Sequence, residues 1–262
     1  MSEEAIERCG LAVAGFKERV KGWQRDYPGV PLVFNRDLLD VDFRNARHIW
    51  VADNPGKQEL AAGRYLVPAP GEGTTAGNNA EQFFRWAGIG NQVLILNKTP
   101  IHTENTAGLA GYRAKHPELV AATQAAMAEL TFVLHRDISR FSEEPCHLWI
   151  SGLAGCWNSK QKAWRFRNQD GNRPAKATLP EYFEALRLFY GHTNEDLQSR
   201  LHIIKHFSRW AIFSDLRFPN GVKVSISRIF VNNSSPSWLL NELTCQPYAK
   251  ALFLPLRPLC QI

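Results

Sequence analysis

Four short apolar runs, at 48–51, 92–97, 147–151 and 201–206, alternate with segments of helical periodicity, and this alternation limits the fold more than any other feature of the chain. Val93-Leu94-Ile95-Leu96 is unbroken by polar residues until Asn97 closes it, which is the pattern of a strand covered on both faces in a parallel sheet. Helices are expected between the runs. At 3–26, Ile6, Cys9, Val13, Phe16, Val20 and Trp23 recur at three- and four-residue steps with charges between them, as in an amphipathic helix. A second helix is expected at 80–87, opened by Asn79 and Gln82 in capping-box spacing. A third covers 117–140, with Leu119, Thr123, Met127, Leu130 and Leu134 on one face, and Pro180 opens a fourth through 190. The sequence therefore predicts a three-layer α/β/α sandwich around a central four-stranded, largely parallel sheet.

A chain of 262 residues is long enough for one sizeable core. One domain is expected over 1–262, with its core at about 47–216, the helix 3–26 ahead of it and an extension at 217–262. In that extension the pattern weakens: an edge strand at 222–231, a short helix at 237–243 and an extended, proline-containing tail from 252. No apolar run reaches membrane-spanning length and the first residues are acidic and polar, so neither a span nor a signal peptide is expected. The five cysteines are an odd number with no C-x-x-C pair. They read as reduced thiols of a cytoplasmic protein, nucleoid-associated if bacterial, with no metal site and no cofactor. The net charge of +6 suits a polyanionic partner, though plain enzymes often carry as much.

Chemistry-bearing residues collect where strands end. The first run passes into Asp53-Asn54-Pro55-Gly56, where Pro55 cannot continue a ladder and Gly56 permits a sharp turn. The second ends in Asn97 and the fourth in His206. A parallel sheet brings such ends to one edge, where open α/β sheets bind ligands. The glycine-rich stretch 61–77 lacks the Gly-Lys-Ser/Thr ending of a phosphate loop and reads as an active-site loop. Ser151 lacks the Gly-x-Ser-x-Gly context of a nucleophile elbow. Between 157 and 176, Lys160, Lys162, Arg165, Arg167, Arg173 and Lys176 are interleaved with Trp157, Trp164 and Phe166. Such a segment suits a nucleic-acid backbone and unstacked bases, with a solvated loop over two buried tryptophans as the equal alternative.

Taken together and in this order, Ala52-Asp-Asn-Pro-Gly56, Val93-Leu-Ile-Leu-Asn97 and His206-Phe-Ser208 resemble the motifs of the uracil-DNA glycosylase superfamily, over about residues 47–216. The likeness is strongest to its Asn-Pro-Gly branches, the mismatch-specific and single-strand-selective types. The resemblance implies a monofunctional glycosylase that flips a damaged or deaminated base out of single- or double-stranded DNA and hydrolyses its N-glycosidic bond. It implies that Asn54 positions the attacking water, and that Asn97 reads the base, since one amide matches both the O4 and N3–H of uracil. His206 would stabilise charge on the departing base. Asp53 stands where another branch has a catalytic Glu and competes with Asn54, whose amide has no useful basicity. Tyr65, or Leu66 if the register slips, would stack on the base. Pro55, Gly56 and Lys57, with Ser208, Arg209 and Trp210, would contact DNA, joined by Lys160, Lys162, Arg165 and Arg167.

Ala52 and Phe207 depart from the usual Gly and Pro of these motifs, and the cysteines that hold a cluster in one branch are missing. A monomer is expected. One alternative is a non-catalytic nucleic-acid-binding protein of the same fold, against which the retained polar strand ends argue. Another is an unrelated hydrolase using Ser208, His206 and Asp53, disfavoured because Ser208 lies only two residues from His206.

Overall fold

A computed structural model describes residues 2–68, 75–142, 144–151, 155–158, 163–166, 179–191 and 195–204. The chain opens with helix α1 (Glu3–Asp26), started by Ser2, whose side chain accepts from the Ala5 N–H at 3.3 Å. Strand β1 (His48–Ala52) follows, then helices α2 (Lys57–Ala62) and α3 (Ala76–Ala87) and strand β2 (Val93–Asn97). Helices α4 (Leu109–Lys115) and α5 (Pro117–Phe141) lead to β3 (His147–Ser151), a hairpin of β4 (Gly155–Asn158) and β5 (Ala163–Phe166), helices α6 (Pro180–Gly191) and α7 (Glu195–Ser199), and β6 (Leu201–Ile204).

The main sheet has the order β2-β1-β3-β6 with every pairing parallel. The expected four-stranded α/β sheet is therefore present. Its register aligns Trp50 with Ile95 and Trp149, and Ala52 with Asn97. Side chains alternate across the pleat. On one face Ile49, Val51, Leu94, Leu96, Leu148 and Ile150 join Leu119, Met127, Leu134 and other residues of α5 in the main hydrophobic core. Trp50 faces the opposite way, with its ring centroid 5.6 Å from Phe83 and 5.2 Å from Phe84 of α3.

That second face also carries imidazoles. Trp149 Nε1 donates to His48 Nδ1 at 3.1 Å, His147 and His202 share a hydrogen bond at 3.0 Å, and His202 stacks on Trp149 with centroids 4.2 Å apart. Burial, with the neighbouring His147 and Arg47 adding, pushes His48 down to about 4. Burial likewise pushes His202 down to about 3.

Several expectations about the elements need correcting. Helix α3 begins at Ala76, not at 80, because Thr75 is its cap, accepting from Asn78 N–H at 3.2 Å, while Asn79 is buried inside the helix. The short helices α2, α4 and α7 and the hairpin β4–β5 were not anticipated: segments of four to seven residues carry too few turns for a periodicity to stand out. Cys9 and Cys146 are buried free thiols. Among the described residues no helix is long and apolar enough to cross a membrane.

Candidate functional site

Three chain segments meet at the C-terminal edge of β1 and β2. Past Asn97 the chain stays laced to the first turn: Lys98 N–H donates to the carbonyls of both Ala52 and Asp53 at 2.9 Å, and Thr103 N–H donates to Pro55 O at 3.2 Å. The stretch 98–103 is held on its other side by residues 31–33, through Val33 N–H to Pro100 O at 2.9 Å and His102 N–H to Pro31 O at 2.8 Å. The turn 53–56 thus rests on paired backbone rather than hanging free.

Asn54 is anchored by its nitrogen. Its Nδ2 donates toward Thr103 Oγ1 at 2.8 Å, Thr103 O at 3.1 Å and Pro55 O at 3.2 Å. Two of these are carbonyls, which only accept, so the orientation of the amide is fixed by its surroundings. Oδ1 is consequently directed elsewhere and accepts from no described group, in a side chain that is half-buried. Thr103 is itself held, donating from Oγ1 to Asn105 O at 2.7 Å.

Asp53 is engaged differently. Its Oδ1 accepts from Lys98 Nζ, and its Oδ2 faces Thr106 Oγ1 at 3.5 Å. Lys98 has no exposed surface; its ammonium also donates to Ser151 O at 2.6 Å, at the end of β3, and lies 5.8 Å above the Phe183 ring of α6. Burial pushes the Lys98 ammonium down from its ordinary range, while the Asp53 carboxylate holds it up.

Asn97 is fully buried, and neither atom of its carboxamide has a hydrogen-bond partner among the described residues. An unpaired buried amide costs a protein about 1–3 kcal/mol. Such groups in native structures point to a missing partner.

Glu59 organises the entrance. Its carboxylate accepts from the N–H of Gly56, the N-cap residue of α2, and from Leu66 N–H at 3.0 Å; burial raises its pKa. Leu66 is buried with φ of 48°, a left-handed conformation strained for a leucine. His102 Nδ1 lies 2.9 Å from Pro55 O, which can only accept, so that nitrogen carries a proton. A cavity of about 490 Å³ opens between this loop and α3, lined by Arg64, Tyr65, Leu66, Phe84 and Ile95 among others. Ile95 and Asn97 lie two residues apart on β2 and share a face of the sheet.

The structure thus gathers Asp53, Asn54, Pro55, Gly56 and Asn97 at one edge. Lys57 is exposed in the first turn of α2. Tyr65 is only 3% exposed, and its hydroxyl donates to Val33 O at 2.7 Å, which makes it a wall of the cavity tied into the main core. His206, Ser208, Arg209, Trp210, Lys160, Lys162 and Arg167 lie outside the described residues, as does the side chain of Arg165. Lys98, His102, Thr103 and Glu59 were missed by the sequence reading. Lys98 had a legible signal: Asp53 and Lys98 each follow the last residue of a strand, and those last residues, Ala52 and Asn97, are register partners. Thr103 and His102 had none, because their roles depend on a loop folding back.

Comparison with protein-family models and with curated proteins returns no match for this chain.

Proposed function

We propose that the protein is a monofunctional DNA glycosylase, which hydrolyses the N-glycosidic bond of uracil or another deaminated base turned out of DNA. The observation that carries this reading is the Asn97 carboxamide, buried and without a partner among the described residues, at the C-terminal edge of the sheet beside the Asp53–Gly56 turn. One amide offers a donor and an acceptor side by side, which is what the O4 and N3–H of uracil require. An entering base would relieve the unpaired amide, so binding is coupled to a defect already present in the free protein.

In this reading Asn54 aligns the attacking water through Oδ1, the atom its Thr103 anchor leaves open. The resemblance of the motifs assigns His206 to the charge that develops on the base, and Ser208, Arg209, Trp210 and the cations of 160–167 to the DNA strand. Lys57, exposed at the rim, joins them. The net charge of +6 agrees with a polyanionic partner.

The experiment is to incubate the full chain with single- and double-stranded oligonucleotides carrying uracil, hypoxanthine or a G·T mismatch and to assay abasic sites. Alkali-labile sites at the modified base are expected, and Asn54→Ala should lower their rate of formation about 100-fold. Tight DNA binding without product on any substrate would instead support a non-catalytic binding protein.

A further inference from the structure

Asp53 and Asn54 are adjacent in one turn, yet their side chains belong to different environments. Asn97 lies on the sheet face shared with Ala52 and Ile95. The pleat sends the next residue, Lys98, to the other side, where its ammonium meets Phe183, a member of the main core. The Asp53 carboxylate follows it there, with one oxygen bound by Lys98 and the other facing Thr106. Asn54 is drawn instead toward Thr103. A general base must offer an oxygen to the water it deprotonates. Asp53 has its oxygens turned to a cation and a hydroxyl.

We propose that Lys98 is a positioning residue of the glycosylase site: by binding Asp53 on the face of the sheet away from Asn97, it holds that carboxylate away from the water and leaves Asn54 Oδ1 as the group that aligns it. The inference rests on the glycosylase reading above. In the step it describes, the C1′–N bond breaks with its electron pair departing on the base, and the water oxygen bonds to C1′. The surplus proton of the water passes through solvent to the departing base. Asp53 and Lys98 take no part in this proton transfer; their ion pair holds the turn that presents Asn54.

The test uses the full chain and a uracil-containing oligonucleotide, with single-turnover base release measured from pH 5 to 9 for the native protein and for Lys98→Met, Lys98→Arg, Asp53→Asn and the double variant Asp53→Asn/Lys98→Met. Lys98→Met should change the shape of the rate profile, with a loss of roughly tenfold at pH 6 that shrinks at pH 8.5, and with DNA affinity little changed. Lys98→Arg should restore the native profile. The double variant should be no slower than Asp53→Asn alone, because the two residues act as one unit. A Lys98→Met profile merely lowered by the same factor at every pH would overturn the inference, as would native rates in Lys98→Met beside an inactive Asp53→Asn.

A second readout needs neither activity nor a folded Lys98→Met. In ¹⁵N-lysine spectra of Asp53→Asn, the Lys98 ammonium should lose its proton at lower pH than in the native chain; an unchanged titration overturns the pairing. If the native chain releases no base while Lys98 does respond to Asp53→Asn, the glycosylase reading and the catalytic role of Lys98 fall together and the ion pair alone stands.

Discussion

Asn54 Nδ2 donates to Thr103 Oγ1 at 2.8 Å, joining the turn after β1 to the loop after β2 across 49 residues of sequence. The bond fixes which end of the amide faces the protein, and Thr103 keeps its own place by donating to Asn105 O. Removing the hydroxyl while keeping the shape of the side chain isolates this contact. Thr103→Val should destabilise the fold by about 1–3 kcal/mol, since two partners lose a hydrogen bond. It should also slow base release about tenfold, while Thr103→Ser keeps both properties near native. Urea denaturation and single-turnover kinetics on the two variants check this, and a Thr103→Val protein with native rates would mean that the orientation of Asn54 does not matter.

Asn97 carries an opposite expectation for stability and for activity. Its amide is buried without a partner among the described residues, so Asn97→Leu, apolar with the same branching of heavy atoms, removes a penalty of about 1–3 kcal/mol. The variant should melt no lower than the native chain, and should melt higher if the leucine packs well. Function should be lost with it, the usual exchange at a site kept polar for a ligand. Thermal melts of the free protein, with and without uracil-containing DNA, read both effects; a large drop in melting temperature would show that Asn97 supports the fold instead.

Much of this arrangement is legible in the sequence, for identifiable reasons. The strands were readable because a strand covered on both faces must be apolar throughout, and 93–96 has no other reading at that length. The edge bearing Asp53, Asn54 and Asn97 followed from parallel pairing alone. The start of α3 was misplaced because Asn79 and Gln82 satisfy a capping pattern that Thr75, inside the glycine-rich stretch, fulfils in space. Lys98 stands just past the end of the second run, and only the register Ala52–Asn97 brings it beside Asp53. Thr103 and His102 depend on a loop returning to the turn, which no local pattern announces.

The imidazoles on the α3 face make stability fall on acidification. Trp149 donates to an unprotonated His48 Nδ1, and the bond between His147 and His202 needs one nitrogen of the two without a proton. Burial pushes His48 down to about 4 and His202 to about 3. The unfolded chain, with imidazoles near 6.5, therefore binds more protons than the folded one below that pH. Each imidazole that stays neutral should remove ~1.4 kcal/mol of stability per pH unit as the pH falls from about 6.5 toward its folded value, with no effect above. Denaturant midpoints at pH 8, 6.5 and 5 test the sign. A midpoint unchanged between pH 6.5 and 5 would contradict it, and His48→Phe should flatten the slope.

Gly77 stands in the first turn of α3 where a Cβ would lie 2.1 Å from Val67 O and 2.9 Å from Pro68 N. In a helix interior, replacing glycine by alanine normally stabilises by about 1 kcal/mol. Here the backbone of the cavity loop blocks it, so Gly77→Ala should destabilise, by about 1–3 kcal/mol, and displace residues 67–68 from α3. The sign of the change in melting temperature decides between the two effects.

The most direct test of the proposed chemistry is release of free uracil, quantified by mass spectrometry, from single- and double-stranded uracil-containing oligonucleotides by the native chain and by Asn97→Leu. Stoichiometric uracil with matching abasic sites is expected from the native protein. A loss of about 100-fold or more is expected from a fully folded Asn97→Leu. Equal release by the two proteins, or no release of uracil by the native chain, would contradict the assignment of Asn97 as the reader of a uracil base.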